Sequence, residues 1–315
     1  MIASRKNEEL TYEQITSFID DLAEMKVRVL TLHGGEPLVY PDVFKVSKYA
    51  YSKGILVNFI TNGLMLNEET IDEIIDAGIN GITISLDGPE KIHDSVRGLK
   101  GTFQKITAGV AILKRKEKEG KKIPQIGIST YISALNQDFA AELFDEVVKL
   151  GIMNWGVGLV TYGSDKLSAA TKKILEIKGD DAGQGNLDTL ADDITGLDKV
   201  KMLKARETIK RENKSKKLQI IFPSEKAIIN YDKPMFNEIN SCLYPWTRVV
   251  VSPYGEVFPC VSLSMVNAVM GNIKDNSVRE IWNNEKYKKL RNQMKKKGLL
   301  PICSKCCVIN NVKLL

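Results

Sequence analysis

The chain has 315 residues, 43% of them hydrophobic and 27% charged, which is enough for one large globular domain and an appendage. No apolar run nears the ~20 residues needed to span a bilayer, and no basic, apolar leader opens the chain, so a soluble cytoplasmic protein with no membrane partner is expected. The net charge of +6 is mild for this length and argues only weakly for polyanionic partners, so nucleic acid is not expected among them.

In chain order, Thr11 and Gln14 form a capping box ahead of Ile15, Phe18, Ile19 and Leu22 at helical spacing. An alternating strand then runs into His33-Gly34-Gly35-Glu36-Pro37. Two glycines at a strand end let the backbone approach a ligand closely, which points to a small molecule over that tip. A helix from near Asp42 to Gly54 leads to the strand "ILVNFITNG", and a helix opening at Asn67 leads to "INGITISLDG". A helix from Thr102 to about Glu119, the strand "IPQIGISTYIS", a helix from Asn136 to Leu150 and the strand "MNWGVGLVTYG" follow. Five strands separated by helices predict an α/β fold with a parallel sheet buried on both faces. The polar, glycine-rich words HGGEP, TNG and SLDG fall at consecutive strand ends, the rim where such folds bind ligands. Each word alone reads as an ordinary turn, and His33 alone as a packed histidine; together they mark one shared rim. The basic stretch from Lys199 reads as a solvated helix face.

All five cysteines lie in the last quarter: Cys242, Cys260, Cys303, Cys306 and Cys307. A hairpin turning at Pro253-Tyr254-Gly255 would carry Cys260 back toward Cys242, and a helix from about Val278 to Lys297 precedes the Cys303-x-x-Cys306 pair. Two such pairs suit either an iron-sulfur cluster or a tetrahedral zinc, with Cys307 a spare.

With those residues in view, the chain resembles the radical S-adenosylmethionine (SAM) enzymes, in the branch with a C-terminal SPASM or twitch extension. The resemblance rests on GGEP, TNG, SLDG, "HDSVRG" with Arg97, and the cysteine set, and it covers nearly the whole chain. It implies a partial (β/α)6 barrel missing its first strand over residues 1–163, a helical insertion or linker over 164–240, and a small α+β twitch/SPASM-like domain over 241–315. It implies SAM held by Gly34, Gly35, Glu36 and Pro37 at its amino group, with Ser85 and Asp87 near the ribose and carboxylate, Arg97 paired with that carboxylate, and Asn62 on the same rim. Cys242, Cys260, Cys303 and Cys306 would hold one auxiliary 4Fe-4S cluster. The family's Cys-x3-Cys-x2-Cys loop, which holds the SAM-binding cluster, does not occur in these residues. A longer parent is therefore expected, and the 315 residues by themselves are not expected to cleave SAM.

The intact parent would use the family chemistry: reductive cleavage of SAM to a 5′-deoxyadenosyl radical, driven by an electron donor such as ferredoxin or flavodoxin. The auxiliary cluster would accept an electron from the substrate radical, in an oxidation or modification of a peptide, protein or small metabolite. A peptide or protein substrate is favoured, the polar segment after the barrel reads either as a cover for the opening or as a solvated helical insertion away from substrate, and no catalytic acid or base stands out. The alternative is a non-catalytic iron-sulfur or zinc protein serving as partner of a maturation enzyme.

Overall fold

Strand segments rich in β-branched residues alternate with amphipathic helices, and a computed structural model describes residues 8–160, 165–177, 196–231, 233, 241–306 and 313–314. Cys307 and most of the polar segment after Ile177 lie outside the described residues. The first part comprises α1 (Tyr12–Glu24), β1 (Val29–Leu32), α2 (Val43–Ser52), β2 (Leu56–Thr61), α3 (Glu68–Asp76), β3 (Gly81–Ser85), α4 (Glu90–Arg97), α5 (Thr102–Lys118), β4 (Gln125–Ile132), α6 (Ala140–Lys149) and β5 (Asn154–Leu159). It continues through α7 (Asp165–Leu175), α8 (Lys199–Lys216), β6 (Gln219–Phe222), α9 (Glu225–Ile229), α10 (Tyr244–Thr247), β7 (Val250–Val251), β8 (Glu256–Phe258) and α11 (Val261–Ser264). The last elements are β9 (Gly271–Asn272), α12 (Val278–Asn283), α13 (Glu285–Lys297) and β10 (Lys313–Leu314).

Two compact units result. The larger contains β1 to β6 with their helices, and β10. Its seven-stranded sheet runs in the order β1-β2-β3-β4-β5-β6-β10, with β1 to β6 parallel and β10 antiparallel to β6. The parallel strand β6 was not among the five expected, because its four residues follow a highly charged helix and carry little pattern of their own. One face of the sheet is buried: Val57, Phe59, Ile82, Ile84, Ile128, Trp155 and Val157 are inaccessible, as are Ile71, Ile74, Ile106, Val110, Phe144 and Val147 of the helices, with Phe144 against Trp155. Each such fully buried side chain contributes about 1.5–3 kcal/mol relative to exposure.

The opposite face departs from the expectation of double burial. Leu56, Ile60 and Tyr131 are exposed on it, and Asn58, Thr83, Ser85, Gly127, Ser129 and Gly156 are only half-buried. Small and polar residues on alternate positions leave this face accessible, although the strands are parallel.

The smaller unit joins α1 and α7 to the chain from α10 to Cys306. The capping box at Thr11 forms as expected, and Asp21 of α1 accepts a hydrogen bond at 2.8 Å from the Val278 amide at the start of α12. The hairpin at Gly255 forms between β7 and β8. The single helix expected from Val278 to Lys297 is two helices, because Asn284 caps the second by accepting from the Tyr287 amide.

Candidate functional site

The loop after β1 opens upward. Gly34 has φ +129, a conformation that disfavours any side chain, and a Cβ at Gly34 or Gly35 would meet nothing within 4 Å. This is empty space above a strand tip. Beside it the Glu36 carboxylate accepts hydrogen bonds from Thr61 Oγ1 at 2.7 Å, the Asn62 amide at 2.7 Å and the Leu38 amide at 3.3 Å. Pro37 opens the short turn that Glu36 caps. Glu36 therefore ties the tip of β1 to the tip of β2, and a carboxylate's about four acceptor sites leave one lobe for an incoming cation. Asn62 Oδ1 accepts from the Leu64 amide, which turns the chain out of β2. At Gly63 a Cβ would press on Ile106 and Ile84 at 2.8 and 3.0 Å, so the turn sits directly on the core.

The tip of β3 is held from three sides. The Asp87 carboxylate meets Arg97 Nη2 at 2.6 Å and accepts from the Tyr131 amide of β4 at 3.1 Å. Its backbone amide donates to His93 Nδ1 at 3.1 Å, which fixes His93 as an acceptor at that nitrogen. Burial lowers the His93 pKa, with Asp87 opposing, in accord with a neutral ring. Asn136 Nδ2 spans the Asp87 and Tyr131 carbonyls at 2.7 and 3.0 Å, and Thr130 Oγ1 donates to the Leu86 carbonyl at 2.6 Å while accepting from Trp155 Nε1 at 2.8 Å. Ser85 ends β3 in register with Ser129, on the half-open face.

The structure thus brings Gly34, Gly35, Glu36, Pro37 and Asn62 together at adjacent strand tips, with Ser85, Asp87 and Arg97 at the next. Asp87, expected near the ribose and carboxylate of SAM, and Arg97, expected on that carboxylate, are paired with each other. Thr61, Tyr131, Asn136 and His93 complete the network and were not singled out. The place of Asn136, capping the turn after β4, was the signal available in the sequence.

The positioning of Arg97 has a further support. Burial would raise the Asp94 pKa, but hydrogen bonds from Thr102 Oγ1 and the Phe103 and Gly101 amides hold it down at about 2. Asp94 of α4 thereby caps the N-terminus of α5, whose own N-cap is Gly101 with no side chain to do so.

In the smaller unit, Cys303 is buried and Cys242, Cys260 and Cys306 are half-buried against one apolar cluster formed by Val257, Leu263, Tyr287, Leu290 and their neighbours. None of the four is in a disulfide. Each thiol lies within electrostatic reach of others in the set: Cys303 of all three, and Cys260 of Cys242 and Cys306. Burial pushes Cys260 and Cys303 up to about 12, so metal-free they stay protonated, and ligation would release those protons. Backbone amides already point at the sulfurs: Tyr244 at Cys242, at 3.5 Å, Ser262 and Leu263 at Cys260, and Leu300 at Cys303. Amide donors around buried thiolates suit an iron-sulfur centre. Among the described residues no group of three or more His, Cys, Asp or Glu side chains is already gathered around a single point.

Comparison with known proteins agrees with this layout. The family model of the radical SAM superfamily matches residues 2–128, and that of the iron-sulfur cluster-binding SPASM domain matches residues 242–307. The chain is 29% identical over 310 residues to an AdoMet-dependent heme synthase of Methanosarcina barkeri, covering 94% of this chain and 80% of that protein. It is 24% identical to a PqqA peptide cyclase of Rhizobium meliloti, over 89% of this chain and 67% of that one. In fold it resembles Streptococcus suis SuiB bound to S-adenosylmethionine, with a TM-score of 0.64 at 16% identity over 95% of this chain and 66% of SuiB. It also resembles anSMEcpe with bound AdoMet and Cp18Cys peptide, with a TM-score of 0.64 at 17% identity over 96% of this chain and 80% of the other.

Proposed function

We propose that this chain, which belongs to the radical SAM superfamily and carries a C-terminal SPASM domain, forms the SAM-binding and auxiliary-cluster portion of an enzyme that oxidises a heme precursor. SAM with its own iron-sulfur cluster supplies a 5′-deoxyadenosyl radical, and an auxiliary cluster supplies an electron acceptor. The chain's residues bind and orient. The free lobe of Glu36 and the open space over Gly34 and Gly35 receive the amino group of SAM, and Arg97, steadied by Asp87, receives its carboxylate. Ser85 and Asn62 line the floor. Cys242, Cys260, Cys303 and Cys306 hold the auxiliary cluster.

The observation that carries this reading is Glu36, which joins two strand tips through Thr61 and Asn62 beneath an unfilled glycine pair. For the substrate, the half-open sheet face of Ser85, Ser129, Gly127 and Gly156 favours a large flat molecule over a small metabolite. The long match to the heme synthase puts a tetrapyrrole first; the match to the peptide cyclase keeps a peptide second.

Ligands for the SAM-binding cluster have no source among residues 1–315, whose cysteines all lie at or beyond Cys242. The second reading is a non-catalytic metal-binding partner of a maturation enzyme. The test supplies the chain as part of a polypeptide that carries the three-cysteine loop, under anaerobic conditions with a reductant and SAM. Release of 5′-deoxyadenosine that rises with Fe-coproporphyrin III supports the first reading, and a rise with a precursor peptide instead moves the substrate to the peptide class. No 5′-deoxyadenosine, with SAM still bound, favours the non-catalytic partner.

A further inference from the structure

Two residues one turn apart on α4 grip the same partner. His93 Nδ1 accepts the Asp87 backbone amide at 3.1 Å, and Arg97, four positions on, meets the Asp87 carboxylate at 2.6 Å. Positions i and i+4 share a helix face, so a single turn of α4 holds both the backbone and the side chain of Asp87. The other polar atoms of Asp87 are taken by β4 and the loop after it: the Tyr131 amide donates to Oδ1 at 3.1 Å, and Asn136 Nδ2 donates to the carbonyl at 2.7 Å. Asp87 is buried, whereas the Arg97 side chain is 36% exposed. Asp87 is thus the fixed member of the pair, and Arg97 the one that can reach a ligand.

The imidazole has little freedom of its own. It is buried and set edge-on to Phe103 of α5, with centroids 6.4 Å apart and planes at 62°. Gly88, the last residue of SLDG, lets α4 come this close, since a Cβ there would lie 2.7 Å from Ile92 Cγ2 and 3.4 Å from the His93 amide. Asp94, next in the chain, is committed to the start of α5 through Thr102 Oγ1 and the Phe103 amide. His93 therefore leaves Asp87 only if the helix that carries Arg97 shifts with it.

We propose that His93 is a positioning residue for the SAM carboxylate site, its Nδ1 holding the Asp87 backbone so that Asp87 presents the Arg97 guanidinium to the ligand. The proposal rests on the reading that Arg97 receives that carboxylate. The bond needs a neutral ring with its proton on Nε2, because a protonated ring is a donor at both nitrogens and would set N–H against N–H. Burial disfavours the charged ring, Asp87 favours it, Arg97 opposes it and Asp94 favours it; burial prevails and lowers the pKa from 6.5. α5 contributes only the uncharged Phe103 ring to this balance. The grip on Asp87 is therefore complete near neutral pH and is lost as pH falls below about 6.5.

The test titrates SAM by calorimetry, under anaerobic conditions, into variants of a polypeptide that joins this chain to the three-cysteine loop. Arg97→Ala checks the underlying reading by itself; unchanged affinity there defeats that reading and the proposal with it. With that reading standing, His93→Phe, which keeps a ring against Phe103 but has no acceptor, is expected to weaken SAM binding about tenfold. His93→Asn, whose Oδ1 can take the place of Nδ1, is expected to recover most of the loss. Wild-type affinity should fall between pH about 7 and about 5 more steeply than that of His93→Asn. The only other histidine, His33, is present in both proteins and contributes equally. Wild-type affinity in His93→Phe, equal losses in the two variants, or parallel pH profiles would each overturn the proposal. Should the variants fail to fold, the nitrogen-15 shifts of the wild-type imidazole decide it: a neutral ring with Nδ1 unprotonated supports the grip, and a proton on Nδ1 at neutral pH overturns it.

Discussion

The Arg97 guanidinium contacts the Asp87 carboxylate at 2.6 Å, yet about a third of the Arg97 side chain stays accessible. Asp87 is buried and satisfied by the Tyr131 amide, so the pair holds a cationic fork at the strand rim with one side facing outward. Arg97→Ala is expected to weaken SAM binding by about tenfold or more, the scale of one charge-assisted hydrogen bond. Arg97→Lys should recover little, because a point charge cannot serve Asp87 and a ligand carboxylate together. Calorimetric titration with SAM checks both; equal affinities in wild type and Arg97→Ala would remove Arg97 from the site.

Thr61 acts through Glu36. Thr61→Val keeps shape but removes the donor to Glu36 Oε1 and the acceptor of the Gly63 amide. The expected result is a folded protein destabilised by about 1–3 kcal/mol, with SAM affinity reduced because the Glu36 carboxylate loses its orientation. Thr61→Ser should restore most of both. Chemical denaturation measured beside SAM titration separates the two effects.

Asp94 gives a pH-dependent term. Its folded-state pKa of about 2 lies below the reference 3.8, so its stabilisation is complete above the reference value and is lost as pH falls from about 4 toward about 2. Asp94→Asn should lower the melting temperature near neutral pH, and the gap from wild type should close in acid. A gap that stays constant down to pH about 2 would contradict the carboxylate's role as the cap of α5.

The four cysteines make a content prediction. Cys260→Ser and Cys303→Ser should each reduce bound iron from about four per chain toward none. Removing the metal from wild type with a chelator should lower the stability of the cysteine unit, because its apolar cluster includes Cys303 and packs directly on the other three thiols. Iron content unaltered by either substitution would mean the metal sits elsewhere.

Much of this was legible in the chain itself. Local chemistry determined the elements: the Thr11 capping box, Asn67 capping α3, the period of Ile71 and Ile74, and the turn at Gly255. The recurrence of HGGEP, TNG and SLDG at strand ends also determined that these words share one rim, because parallel strands leave their tips on one edge. What only the tertiary structure decided is who bonds to whom. Glu36 meets Thr61, and Asp87 meets Arg97 and Tyr131, through contacts between different elements that no local period encodes. The short strand β6 and the half-open sheet face likewise emerged from packing, since four residues carry too little pattern to declare a partner. The orphaned hydroxyl of Tyr287 belongs to the same class: its sequence is that of a helical core residue, and only its burial strips it of water and of partners among the described residues.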